Sequence, residues 1–391
     1  MNENVLNTGN QEFINKNLET DISSLLLKNV PLEGVGIKEA IQQIESKKKC
    51  RKKLPSWYNT ENIYYPDKLN IEQTSSENTA WYKSGLVSGK SIIDLTGGFG
   101  VDSYFFSKKF DRVYHCETNK NLSEIALHNF KVFGIENVSF SNQDGINFLK
   151  NTRLKYDWIY IDPSRRDNQK GKVFLLKDCV PDVIENLNLF LTHSENILIK
   201  TSPLLDLTIG INELKYVKHI HVVAVENEVK ELLWVLENKY MGEIDIKTIN
   251  IKEKRNETFD FEIHEESNSI ASYSIPKAYL YEPNSAILKA GAFNITSVKF
   301  KIDKLHKHSH LYTSDHLINF PGRSFKIEKV LPYNKKALKE AGIEKANVTT
   351  RNFPETVFQI RKKFMIKDGG DLYLFFTTDN EDKKIIFCTK T

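Results

Sequence analysis

Cysteine is scarce in this chain: Cys50, Cys116, Cys179 and Cys388 stand far apart, with no Cys-x-x-Cys pair among them. That spacing argues against a disulfide framework and a structural zinc site, and it fits a reducing cytoplasm. Long apolar runs are also missing. The stretch from Met1 to Lys28 mixes Asn, Glu, Asp and Lys, unlike a secretory signal, and no later run is long enough to cross a membrane. Nor is one sign of charge in excess, since 55 Lys and Arg face 51 Asp and Glu for a net charge of +4. Nucleic-acid binding must therefore be argued from local clusters and not from the total.

What is present is the composition of a soluble globular protein, 40% hydrophobic and 27% charged over 391 residues. A single core does not usually grow to that size, so two or three domains are expected. Helical spacing in Ile22, Leu25, Leu26 and in Ile37, Ala40, Ile41, Ile44 predicts a helical N-terminal region over 1–68. From 69 to 242, β-rich runs alternate with helical patterns: Ser91–Leu95, Val113–Glu117, Val138–Asn142, Trp158–Asp162, Asn196–Thr201 and His219–Val225. Such alternation predicts a parallel α/β sheet. His219–Val225 and Leu232–Glu237 are too close for a helical crossover, so an antiparallel hairpin is expected to close it. An α+β unit over 243–318 and a last small domain over 319–391 follow, with expected strands at Ile244–Ile251, Thr258–His264, Asp371–Thr377 and Lys384–Thr389.

The candidate site residues lie at the ends of the first four strands. Ser91–Leu95 runs into Thr96-Gly97-Gly98-Phe99-Gly100, and glycines at a strand-to-helix turn let backbone approach a ligand closely. Glu117 ends the second strand roughly 20 residues later, where nucleotide-binding α/β folds place an acid for ribose hydroxyls. Asp144 follows the third strand, where it can receive the exocyclic amine of adenine or cap the helix that begins at Ile146. The fourth strand ends in Asp162-Pro163-Ser164-Arg165-Arg166, a carboxylate, a rigid turn and two guanidiniums at the edge where ligands bind.

Together these residues resemble the class I S-adenosylmethionine-dependent methyltransferases, whose Rossmann-like sheet has seven strands and a closing hairpin. The resemblance implies that Asp94, Thr96, Gly98 and Gly100 surround S-adenosyl-L-methionine, with Asp94 near its methionine end, Glu117 on ribose and Asp144 on adenine. Thr96 stands where the usual motif has glycine. A dinucleotide-binding dehydrogenase fits less well, because its third glycine would fall at Ser103. Amino-group methyltransferases of nucleic acids carry Asp/Asn-Pro-Pro-aromatic at strand four, and here the sequence is Asp162-Pro163-Ser164-Arg165. By that likeness Asp162 and the Pro163 carbonyl align a nucleophile in line with the methyl group, and Arg165 or Arg166 binds phosphate. The missing aromatic leaves ring nitrogen, amine and hydroxyl all open as targets. Upstream, Leu69–Ala80 resembles the segment that lids the cofactor in a bacterial group of these enzymes, with Gln73 and Ser76 as its contacts; Ser75 or Ser76 can equally cap the helix that follows.

The C-terminal third, from Phe320-Pro321-Gly322-Arg323 through Arg351-Asn352-Phe353-Pro354, resembles the THUMP-like domain of this methyltransferase group, with 243–318 as its ferredoxin-like companion. THUMP modules hold structured RNA, which implies tRNA or rRNA as substrate. Lys335, Lys336, Lys339, Arg351, Arg361, Lys362 and Lys363, interleaved with Tyr333, Phe353, Phe358 and Phe364, are the RNA-binding candidates. His306, His308 and His310 alternate without Cys or carboxylate neighbours and read as surface residues, not a metal site. The leading expectation is a cytoplasmic RNA methyltransferase that needs no metal. A methyltransferase of a small molecule or protein, and a binding protein that has lost catalysis, are the alternatives.

Overall fold

The computed structural model describes residues 1–26, 32–165, 175–379 and 382–391. Two compact units divide the chain: Met1–Lys218 with Leu233–Met241, and His219–Leu232 with Gly242–Thr391.

The first unit is built on β1 (Ser91–Asp94), β2 (Arg112–Cys116), β3 (Val138–Ser141), β4 (Trp158–Ile161) and β5 (Asn196–Thr201); β6 (Val217–Val225) and β7 (Glu228–Glu237) are divided between the two units. Ile92 and Ile93 of β1 pair in parallel with both β2 and β4, so β1 is central, and three of its four residues are buried. A strand covered on both faces needs apolar residues at consecutive positions, which is what Ile92-Ile93 supplies. The strand order is β3-β2-β1-β4-β5-β7-β6. It reverses between β1 and β2 on one side and β4 on the other, and ligands of open α/β sheets bind outside the carboxyl ends of strands at such a switch.

β6 and β7 form the expected hairpin. Glu226 and Asn227 both have positive φ, 48° and 64°, the conformation a two-residue type I′ turn demands. At the hairpin base the Glu237 N–H donates to the Tyr216 carbonyl at 3.1 Å.

The N-terminal helices Thr8–Lys16, Ile22–Leu26 and Ile37–Lys53 share one core with the first unit, in which Val5, Ile14, Ile44 and Trp57 cluster with Phe99, Tyr104 and Phe130. Trp57 meets Tyr104 edge-on at 4.8 Å between centroids. Buried Asn129 accepts from the Tyr64 N–H at 2.9 Å and donates to the Tyr64 carbonyl at 3.0 Å, pairing with that backbone as a neighbouring strand would.

In the second unit, β8 (Asp245–Ile251) pairs in parallel with His219–Val225 and antiparallel with β9 (Glu257–Glu262). The unbroken apolar run Val222–Val225 is that of a strand with neighbours on both sides, not of a sheet edge. A second sheet combines β10 (Tyr279–Pro283), β11 (Asp303–Lys304), β12 (Tyr312–Ser314), β13 (Gly322–Pro332), β14 (Asn347–Arg351), β15 (Leu372–Asp379) and β16 (Asp382–Lys390) in the order β11-β12-β10-β13-β16-β15-β14. β10 pairs with β13 across residue 319, so strands from 243–318 and 319–391 lie in one sheet.

Candidate active site

Asp94 ends β1 and is 1% exposed. Its Oδ1 accepts from the Thr96 N–H at 3.0 Å and its Oδ2 from the Ser103 hydroxyl at 2.7 Å. Burial, assisted by the nearby carboxylates of Asp102 and Asp162 and opposed by those two hydrogen bonds, pushes the Asp94 carboxyl up to about 7.

The turn after β1 is shaped by what lies under it. Gly97 passes so close to the buried His115 ring that a Cβ there would sit 2.3 Å from Nε2. Burial holds His115 down to about 4, so the ring is neutral. Gly98 is left-handed, φ 56°, and its N–H donates to Glu117 Oε2 at 2.9 Å. The other oxygen of Glu117 accepts from the Asn119 N–H at 2.7 Å. The Thr118 hydroxyl also donates to that oxygen at 3.3 Å, so with two lone pairs per oxygen it is Oε2 that keeps an acceptor site. Gly100, φ 86°, opens the helix Val101–Ser107 against Phe130.

Thr96 joins the first strand end to the fourth, because its hydroxyl accepts from the Asp162 N–H at 2.7 Å. Asp162 pairs with Lys200 on β5. Pro163 is buried, and Ser164 is exposed in a two-residue antiparallel contact with Cys179–Val180. The Arg165 side chain and Arg166 lie outside the described residues.

Asp144 caps the helix Gly145–Asn151, accepting from the Asn147 N–H at 3.1 Å through Oδ2. That bond leaves Oδ1 out of the cap. Ser76 caps Glu77–Ser84, with the Thr79 N–H at 3.3 Å, and Gln73 is exposed at the end of Lys68–Gln73.

Sequence reasoning missed a buried group behind this edge. The Lys83 side chain, 0% exposed, lies 3.2 Å from Asp102 Oδ1, and its Nζ donates to the Ser75 hydroxyl at 3.0 Å. Asp102 Oδ2 accepts from Ser75 at 2.9 Å and from the Tyr160 hydroxyl at 2.8 Å. Around Asp94, then, three carboxylates (Asp94, Asp102, Asp162) meet two ammoniums (Lys83, Lys200), leaving a negative excess that suits a ligand with a cationic end. The only sequence signals were a charged residue ending an apolar strand, Lys200, and an acid one residue inside a helix, Asp102.

The basic C-terminal candidates are not one class. Lys335, Lys336 and Lys362 are exposed. Arg361 pairs with Asp368, and Lys363 reaches Glu355 at 3.1 Å and the Tyr333 hydroxyl at 2.8 Å. Arg351 is held by buried Glu282 at 2.8 Å. His310, read as a surface residue, is half-buried and stacks on Phe293 at 3.7 Å between centroids. Among the described residues no group of three His, Cys, Asp or Glu is placed to hold a metal. No described helix is long and apolar enough to cross a membrane.

Over nearly its full length the chain is similar to a crystal structure of a Porphyromonas gingivalis W83 protein designated a methyltransferase. The two are 31% identical, with 97% of each chain covered and a TM-score of 0.87. The chain belongs to this methyltransferase family. Three family models match this methyltransferase: RNA cap guanine-N2 methyltransferase over residues 89–166, ferredoxin-like domain over 279–321, and THUMP domain-like over 322–390. The first covers the ends of β1 to β4 described above. Among curated proteins, a Mycoplasma mobile protein designated an uncharacterized RNA methyltransferase is 30% identical over 95 residues, 24% of this chain and 26% of the relative. A Campylobacter concisus tRNA/tmRNA (uracil-C(5))-methyltransferase is 27% identical over 143 residues, 30% of this chain and 39% of the relative. The methyltransferase thus spans well under half the length of these two curated relatives.

Proposed function

We propose that this methyltransferase uses S-adenosyl-L-methionine to methylate a nucleotide of a structured RNA, tRNA or rRNA, in the cytoplasm. The observation that carries the reading is the meeting of Asp94, Glu117 and Asp162 at the switch point: backbone N–H groups of the glycine turn donate to the first two carboxylates, and the Thr96 hydroxyl accepts the Asp162 N–H. Four buried free cysteines accord with a reducing compartment.

Bound at this edge, the cofactor supplies an electrophilic methyl group. Glu117 accepts from a ribose hydroxyl, Asp144 Oδ1 from the adenine amine, and Asp94 faces the cationic end. Gln73 and Ser76 bracket the upstream side. Asp162, held by Thr96 and paired with Lys200, serves with the Pro163 carbonyl as a fixed acceptor that orients the target, which is mostly what in-line methyl transfer needs. Arg165 or Arg166, whose side chains lie outside the described residues, is the phosphate contact that the sequence suggests.

In this reading 69–242 is catalytic, 1–68 covers it, and 243–318 and 319–391 present the RNA. The names of the curated relatives and the THUMP-like match support RNA over other substrates. The test is transfer of labelled methyl from S-adenosyl-L-methionine to total RNA, total protein and small-molecule extract in parallel. Label in RNA, lost in Asp162→Ala, supports the proposal. Label only in protein or extract sinks the RNA reading, and no transfer to any of the three sinks the enzymatic one.

A further inference from the structure

Within the second unit, two guanidiniums share one buried carboxylate. Glu282, 3% exposed on β10, is the direct cross-strand partner of Arg323 on β13. Arg323 Nε donates to Glu282 Oε2 at 2.6 Å, and Arg351 Nε and Nη2 approach the other oxygen at 3.1 and 2.8 Å. Arg351 ends β14, four strands from β10 in the sheet order, so the sheet curls until its far edge returns to Glu282. Both arginine side chains stay 38% exposed, and their Nη1 groups donate to no described residue. Arg323 also lies over Phe325 and Phe375, 5.4 and 6.0 Å from the ring centroids, which fixes the plane of its fork.

Nearby lie one further buried cation and a pair of histidines. Lys304, 1% exposed, donates to neutral oxygens, Asn294 Oδ1 at 3.3 Å and the Lys307 carbonyl at 3.4 Å, with Glu266 the one acid acting on it. His310 feels Lys304, Arg351 and His308, all cationic or basic, and its buried Nδ1 has no hydrogen-bond partner. Asn352, beside Arg351, places its amide 2.9 Å from His306 Nδ1. Because that nitrogen also accepts from the His308 N–H at 3.1 Å, the neutral His306 ring carries its proton on Nε2. Oriented N–H donors and an uncompensated positive charge at a half-buried place are the requirements of an anion site, and planar forks suit the tetrahedral oxygens of phosphate.

We propose that Arg323 and Arg351 hold one phosphate of the RNA strand. The proposal rests on the RNA reading and locates the contact at the curled sheet, not at the exposed lysines of Lys335–Glu340 or Val357–Phe364. The probe is fluorescently labelled bulk tRNA, titrated with the full-length protein across a KCl series. Arg323→Lys and Arg351→Lys keep a cation on Glu282 but lose the fork, and each is expected to weaken tRNA binding about tenfold. The variant Arg351→Gln removes one of the two cations while Arg323 still neutralises Glu282, so no charge is stranded. It should lower the slope of log affinity against log salt by about one. Binding of S-adenosyl-L-methionine and the midpoint of thermal unfolding should stay at wild-type values in the lysine variants. Unchanged tRNA affinity and slope in all three overturn the phosphate site alone. Wild type that binds neither bulk tRNA nor total rRNA titrated in parallel overturns it together with the RNA reading, and a tRNA loss that tracks loss of folding in every variant overturns it in favour of a structural role.

Discussion

The Thr96 hydroxyl accepts the Asp162 N–H at 2.7 Å while the Thr96 N–H donates to Asp94, so one residue ties the ends of β1 and β4 together. This threonine stands where related motifs have glycine, and the departure is thereby explained: the hydroxyl sets the height of Asp162. Thr96→Val keeps the shape and removes the acceptor, leaving the Asp162 N–H unsatisfied. A loss of about 1–3 kcal/mol in urea unfolding is expected, with Thr96→Ser near wild type. Equal stability of the valine and serine variants would show that the bond contributes nothing.

Glu117 is oriented by two backbone N–H groups before any ligand arrives. Glu117→Ala should reduce S-adenosyl-L-methionine affinity in calorimetry by at least about tenfold, the loss of a charge-assisted hydrogen bond being worth about 1.5 kcal/mol or more. Undiminished affinity would remove Glu117 from the site.

Asp94 is predicted to make cofactor binding pH-dependent. Its carboxyl, raised to about 7 chiefly by burial, is protonated in the folded protein at mildly acidic pH while the unfolded chain is already ionised. The folded state then holds the extra proton, so stability falls as pH rises from about 4 to about 7, by at most roughly 1.4 kcal/mol per unit, and levels off above. A cationic ligand end favours the ionised form, so affinity should increase from pH 6 to pH 8. Asp94→Asn should flatten both profiles. Calorimetry and urea titrations across that range check it, and a flat wild-type binding profile would separate Asp94 from the ligand.

Lys83 and Asp102 form a buried pair whose second carboxylate oxygen is occupied by Ser75 and Tyr160. Replacing Lys83 by Met strands Asp102 and is expected to cost about 3–5 kcal/mol, measured by denaturant unfolding. A cost below about 1 kcal/mol would mean that water or another cation takes its place.

Much of the catalytic unit was readable because β1 to β5 are short apolar runs ended by chemically distinctive residues, and burial on both faces forces that pattern. β13 was not readable as a strand. Its Lys326, Glu328 and Lys329 look like loop, and its long pairing with β16 is a contact between segments about sixty residues apart that no local periodicity reports. Lys83 was missed for the complementary reason: a lysine in a helix reads as solvent-facing, and only the distant Asp102 makes its burial tolerable. Arg351 was legible as basic but not as paired, since Glu282 lies 69 residues away.

The position of β7 also bears on how the chain comes off the ribosome. β7, synthesised after β6, is nonetheless an inner strand, lying between β5 and β6. A nascent chain halted before Glu228 therefore has the whole glycine turn with Asp94, Glu117 and Asp162, yet its sheet stops at β5 with an open edge and nothing for β6 to pair with. Open edges of this kind invite association with other chains. Premature termination in the Val217–Glu237 region should thus yield an aggregating fragment, not a smaller working enzyme.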